Sequence, residues 1–290
     1  MKISTTTGAF KKLKDIKAIL RMIKESGFTA YDYSIAGDEE QENPWLTESD
    51  YLEKAKELRA YADSIGLPCN QTHAPFPSAR KGDEKYNEEI FPKLVRAIEI
   101  SGTLGASVCV VHPCNDYTAE ENAERLYNRL APIARKWGVK IGVENMWNWY
   151  HWNQPDGHVM PAACSHQDDF LAHMELLDKD VFTACVDIGH AEMMHAFDTD
   201  APRMIERLGS YMGAMHLHDV DLVNDNHAYP FCCNIDYAPV IKALRKIGYQ
   251  GDITMEAFCP LTNVPVELMS AAARYMAEIA NYFKTQIEKE

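Results

Sequence analysis

Eight times along this chain, a helical pattern gives way to a short apolar run that closes on a polar residue. No other feature restricts the fold as much. The runs span 2–6, 28–32, 67–73, 106–112, 139–144, 182–187, the stretch ending at His216, and 252–256. Each is too short for a helix and bounded by turn signals, so each is expected to be a buried strand. Gly27, Gly66, Gly105 and Gly138 stand directly before their strands, Gly251 just before the last, and Gly213 within the seventh. Glycine suits the left-handed conformation that ends a helix. Helices are predicted near 15–26, 51–64, 83–104, 122–137, 167–177, 201–208, 237–247 and 266–288. Thr47-Glu48-Ser49-Asp50 and Thr118-Ala119-Glu120-Glu121 resemble capping boxes before the second and fourth of these. Eight alternations without a linker predict an α/β chain forming one (β/α)8 barrel over 1–290. A doubly wound sheet is the alternative, but no glycine-rich phosphate loop follows the first strand.

Bulk composition narrows the function. The hydrophobic fraction of 46% is ample for a core, and no apolar run approaches the length of a membrane span. The first residues read as a strand, not a signal peptide. Eight cysteines without a CxxC pair are expected to be reduced thiols of a cytoplasmic protein. A formal net charge of −14 argues against nucleic acid as a partner.

In a (β/α)8 barrel, all strands point their C-terminal ends at one face, where active sites are built. Those ends carry His73, His112, Glu144, Asp187, His216 and Glu256, with His190, Asp225 and His227 in the following loops. Any one of these could be an ordinary polar residue at the rim. Convergence of so many is different, since clustered carboxylates repel unless a cation neutralises them. His216 and His218 point the same way, because strand periodicity is two, and either could be a ligand. His151, His158, His166, His173 and His195 are read as ordinary loop or helix residues, and the acidic run 38–42 as a solvated loop.

The order Thr72-His73-Ala74-Pro75, Val111-His112-Pro113, Val143-Glu144-Asn145, Asp187-Ile188-Gly189-His190-Ala191, Met215-His216-Leu217-His218-Asp219 and Met255-Glu256 resembles the xylose-isomerase-like TIM barrels. That superfamily includes sugar isomerases and epimerases, inosose dehydratases and endonuclease IV. The resemblance implies a single TIM barrel with one divalent metal held by Glu144, Asp187, His216 and Glu256. It favours His216, three residues before Asp219, as the ligand and leaves His218 a supporting role behind the ligands. The further metal ligands of endonuclease IV are matched by His73, His112, His190, Asp225 and His227, so sugar chemistry with one metal and phosphodiester hydrolysis with several zinc ions both stay open. Mn or Mg suits an oxygen-rich shell, while added imidazoles favour Zn, and more than one Zn in the hydrolase case.

Two features favour the sugar. The segment 228–236 contains no glycine through which a phosphate could approach the backbone. The strand-to-helix loops 113–118, 145–166, 188–200, 219–236 and 257–265 contain no Lys or Arg, which a phosphodiester backbone needs. The exceptions are Lys11, Lys12, Lys14, Arg80 and Lys81. Trp147, Trp149 and Trp152, interleaved with amides, suit a lid over a sugar or polyol. Their alternative is a contact between copies, so a homo-oligomer stays open. The sequence therefore points to a metal-dependent sugar isomerase or epimerase, with Glu144 and Glu256 as catalytic residues exchanging a proton through an enediolate. A multi-zinc hydrolase, an inosose-dehydratase-like lyase and an inactive sugar-binding barrel remain alternatives.

Overall fold

The computed structural model describes residues 1–35, 43–147 and 162–289. Eight short strands pair in parallel: β1 (Ile3–Thr5), β2 (Tyr31–Ser34), β3 (Cys69–His73), β4 (Val108–Val111), β5 (Lys140–Glu144), β6 (Phe182–Asp187), β7 (Met212–Leu217) and β8 (Ile253–Met255). From β2 to β8 each strand pairs with the next, and β1 pairs with β8. A parallel bridge between Thr6 and Asp32 joins β1 to β2 and closes the ring. The chain is therefore a single (β/α)8 TIM barrel. Its outer layer is α1 (Ile16–Glu25), α2 (Tyr51–Ser64), α3 (Glu84–Leu104), α4 (Asn128–Trp137), α5 (Gln167–Glu175), α6 (Ala201–Leu208), α7 (Tyr237–Lys246) and α8 (Val266–Ile287).

Local chemistry explains where elements start and stop. The capping box at Thr118 forms, with Thr118 and Glu121 bonding each other's main-chain N–H. The one expected at Thr47 does not. Thr47 instead bonds back to the Pro44 carbonyl, closing the 3-10 turn Pro44–Leu46, and Asp50 makes no side-chain cap. Gly209 and Gly248, not Gly213 and Gly251, take the positive φ that follows the last two strand-preceding helices. The second strand lies three residues later than expected. Phe28 and Ala30 are buried, but the N–H groups of Thr29 and Ala30 both go to the Ile3 carbonyl, and pairing with β3 starts only at Tyr31.

The main apolar core lies between strands and helices, as in α/β barrels generally. A second, small apolar cluster of Val108, Val110, Cys185 and Ala214 fills the lumen. The rest of the lumen is polar. Ser4 bonds Thr254 across paired strands, and Asp32, Gln71 and His216 are buried. Such a lumen costs stability unless the polar groups find partners, so it points to use at the mouth. Among the described residues, no helix is long and apolar enough to cross a membrane.

Candidate metal centre

β5 and β6 end on Glu144 and Asp187, β7 carries His216 one residue before its end, and Glu256 follows β8 directly. Glu144, Asp187 and His216 are fully buried, whereas Glu256 is slightly open to the mouth. His216 Nδ1 lies 3.1 Å from Glu144 Oε1, 3.1 Å from Glu256 Oε2 and 3.8 Å from Asp187 Oδ2. All four residues offer ligand atoms within 4.8 Å of one another. A second group, His73, His112 and Glu144, adjoins the first through the shared glutamate, and a third gathers His190, His218, Asp225 and His227.

Ring orientation separates the members of the third group. His218 and His227 are stacked, with centroids 4.1 Å apart and planes at 18°. An imidazole coordinates through an in-plane lone pair, so two nearly parallel stacked rings do not aim at one ion. His218 Nε2 instead lies 3.0 and 3.1 Å from the two oxygens of Asp187. His190, Asp225 and His227 are left as a three-donor set.

Three other imidazoles share one arrangement. Nδ1 of His73 lies 2.8 Å from the Ala74 carbonyl, that of His190 3.0 Å from the Asn145 carbonyl, and that of His227 2.8 Å from the Glu256 carbonyl. A carbonyl only accepts, so each Nδ1 carries the hydrogen and each Nε2 is the nitrogen left to the mouth, a donor when the ring is protonated and a lone pair when it is neutral. Metal-binding histidines are oriented this way. Buried Glu144 Oε2 faces His112 Nε2 at 3.1 Å and His73 Nε2 at 3.5 Å, donors only if those rings are protonated there. Buried Asp225 Oδ1 has no hydrogen-bond partner, which costs about 1–3 kcal/mol unless a cation or proton answers it. The donor set fits a divalent cation.

Electrostatics lead to the same place. Burial would raise the pKa of Glu144, but His216 and His112 hold it well below the usual carboxylate range. Burial likewise works against the low value of Glu256, which His216 and then His227 impose. Asp225 is held down by His190 and His227 against burial. Burial alone would strip the proton from His190, yet Asp187 and then Asp225 push its pKa up to about 10. For His112 burial wins and lowers the pKa, and its Nε2 sits 3.0 Å from that of His73. Protons on imidazoles and a bound cation are thus alternative ways of neutralising the same carboxylates, so cation binding displaces protons.

Several supporting residues escaped the sequence reading. Asn145 ties β5 to β6: its Oδ1 accepts from Asp187 N at 2.7 Å, and its Nδ2 donates to the Asp187 carbonyl at 3.0 Å. Asp219 accepts from the main-chain N–H of Val220, Cys233 and Ile235, anchoring the loop that carries Asp225 and His227. Gln71 meets His216 from below. Strand alternation was the available signal for Gln71, two residues before His73. Nothing in the sequence pointed to Phe76 and Phe258, which stack on His112 and His227. Trp147 packs on His190 with centroids 4.2 Å apart, while Trp149 and Trp152 lie outside the described residues. So do His151 and His158. His166 caps α5, His173 bonds Asn122 and the Asp169 carbonyl, and His195 pairs with Glu192.

The chain is 26% identical over 194 residues to an uncharacterised protein of Methanocaldococcus jannaschii, covering 63% of this chain and 62% of that one. It is 24% identical over 227 residues to a D-psicose 3-epimerase of Enterocloster bolteae, covering 71% and 67%. A D-tagatose 3-epimerase-like structure superposes with a TM-score of 0.75 at 21% identity, covering 99% of this chain and 98% of that one. The IolI protein, solved with a bound zinc atom, gives 0.70 at 17% identity, with coverage of 99% and 98%. Residues 20–283 match the family model of the xylose isomerase-like TIM barrel, and the chain belongs to that family.

Proposed function

We propose that the protein is a divalent-metal-dependent sugar isomerase or epimerase. The observation that carries this reading is the placing of Glu144 and Glu256, each 3.1 Å from the same nitrogen of His216, at the ends of different strands. Two carboxylates held below their usual range and fixed on separate strands can reach one substrate carbon from two sides. Glu144, Asp187, His216 and Glu256 would hold the cation. When bound, it supplies Lewis acidity that polarises the C–H bond between a carbonyl and a hydroxyl. One glutamate takes the proton from that carbon and the other returns one, by way of an enediolate. His190 donates to a substrate oxygen, and Trp147 covers an apolar face of the sugar. The D-psicose 3-epimerase relative and the D-tagatose 3-epimerase-like fold support a ketose as substrate. The zinc in the IolI structure supports a divalent ion at this mouth.

Cation placement supports a free sugar over a sugar phosphate. Lys12 donates to the Val264 carbonyl at 2.7 Å, Lys81 pairs with Glu121 at 2.8 Å, and Arg80 lies over the Tyr86 ring. These basic residues of the loops are engaged elsewhere. The two additional donor groups favour a second reading, hydrolysis of a phosphodiester with several zinc ions, which metal counting separates from the first. The deciding experiment is incubation with a ketose in D₂O. Proton transfer places deuterium on the carbon next to the carbonyl, and Glu144→Gln or Glu256→Gln should slow this by at least the ~10²–10⁴-fold typical of general acid–base catalysis. Turnover of a sugar without deuterium incorporation would refute the mechanism.

A further inference from the structure

His73, His190 and His227 each have a main-chain carbonyl behind the ring, and that carbonyl settles which nitrogen carries the hydrogen. His216 is turned the other way round. Its Nδ1 faces the carboxylates of Glu144 and Glu256, and its Nε2 lies 2.7 Å from the amide nitrogen of Gln71, the cation-free orientation of that amide. An amide differs from a carbonyl in one respect that matters here. It can present a donor or, after half a turn, an acceptor of the same size.

We propose that Gln71 is the positioning residue that selects the cation-binding tautomer of His216. With the amide nitrogen toward the ring, His216 Nε2 accepts, and Nδ1 must carry the hydrogen, which it donates to Glu144 or Glu256. That tautomer has no lone pair at the mouth. With Oε1 toward the ring, Nε2–H donates, and Nδ1 presents its lone pair between the carboxylates. Cation binding therefore requires the second orientation. A doubly protonated ring asks for the same one, since Nε2 is then also a donor.

The surroundings leave this choice to Gln71. Its side chain is 3% exposed, on β3 between Asp32 of β2 and Val108 of β4, to which it is paired in register. His216 itself is fully buried. Strand alternation sets Gln71 on the same face as His73, one level deeper, so one strand supplies a candidate ligand and the group that orients another. Partners of this kind, behind a metal ligand, are typically worth 10–100-fold in affinity.

The proposal rests on the metal-binding reading above, and the two fail differently. Competitive chelator titration with Zn²⁺ or Mn²⁺ alone, at one pH, measures affinity in the full chain. Gln71→Glu keeps an acceptor and is expected to bind within about threefold of the parent. Gln71→Met leaves Nε2–H without a partner and is expected to lose 10–100-fold. Melting of the chelated proteins separates loss of fold from loss of affinity. The ¹⁵N shifts of His216 in the zinc-loaded parent give a readout that needs no variant: Nε2 is expected to carry the hydrogen and Nδ1 the metal. Equal affinity of Gln71→Met and parent, equal losses in Gln71→Met and Gln71→Glu, or zinc on Nε2 would each overturn the proposal. A parent that binds neither cation would overturn the metal reading and take this proposal with it.

Discussion

Asp32 shows how one residue in the lumen pays for the site above it. It is 1% exposed, and its Oδ1 has no hydrogen-bond partner. Burial raises its pKa to about 6, with His216 and His73 pulling down and Glu256 and Glu144 pushing up. A carboxyl whose folded pKa exceeds its unfolded value stabilises the fold below the unfolded value, near 4, and loses that contribution as pH rises through about 6. At pH 8 the ionised group is therefore a liability of up to ~3 kcal/mol, taking 1.36 kcal/mol per unit. In chelated protein, Asp32→Asn should be more stable than the parent at pH 8 by an amount of that order, with the gain shrinking below ~1 kcal/mol at pH 4. Urea unfolding at the two pH values checks this. A gain that does not change with pH would show that Asp32 is protonated throughout.

Two sequence motifs interlock at the level of elements. The short helix Ile188–Glu192 that follows β6 brings Gly189 against the ring of His218 from β7. A Cβ at Gly189 would lie 2.1 Å from His218 Cε1, so the glycine is required by close approach, not by its backbone angles. Gly189→Ala must therefore push His218 away from Asp187, and a cost of about 1–3 kcal/mol is expected from overpacking. His218→Ala alone should retain metal, because His218 touches Asp187 from behind. Combining the two should restore much of the stability lost in Gly189→Ala, a coupling that a double-mutant cycle of melting experiments measures. Additive losses would mean that the clash is relieved elsewhere. The wrongly expected capping box at Thr47 belongs to this scale too. Its four residues satisfy the pattern, but Thr47 ends the 3-10 turn, where its hydroxyl donates to the Pro44 carbonyl, and the helix begins only after Asp50.

For the whole molecule, four carboxylates at one mouth would tie the fold to a bound cation. A ligand held only by the folded state stabilises it by mass action, about 2.7 kcal/mol at a hundredfold excess over Kd. Removing the metal should thus lower the melting temperature by roughly 4 °C in a chain of this size. Glu256→Gln or Asp187→Asn should abolish the response to chelator, whereas His173→Ala, whose ring bonds Asn122 away from the mouth, should leave it intact. An unchanged melting curve on protein shown beforehand to contain metal would refute the site.

The eightfold periodicity of the chain, with no glycine-rich loop after the first strand to favour a doubly wound sheet, pointed to the barrel that forms. In a barrel, short apolar runs that end in polar residues and are separated by helices bring those polar ends to one face, and Glu144, Asp187, His216 and Glu256 do meet there. What needed the tertiary structure was anything set by ring orientation or by approach across the lumen. Alternation puts His216 and His218 on one face but says nothing of the stacking that turns His218 toward Asp187. Gln71 and His216 are 145 residues apart in the chain and 2.7 Å apart in space. A strand's periodicity determines which face a side chain leaves from; which atom it then meets depends on the register and closure of eight strands together, and no local pattern contains that.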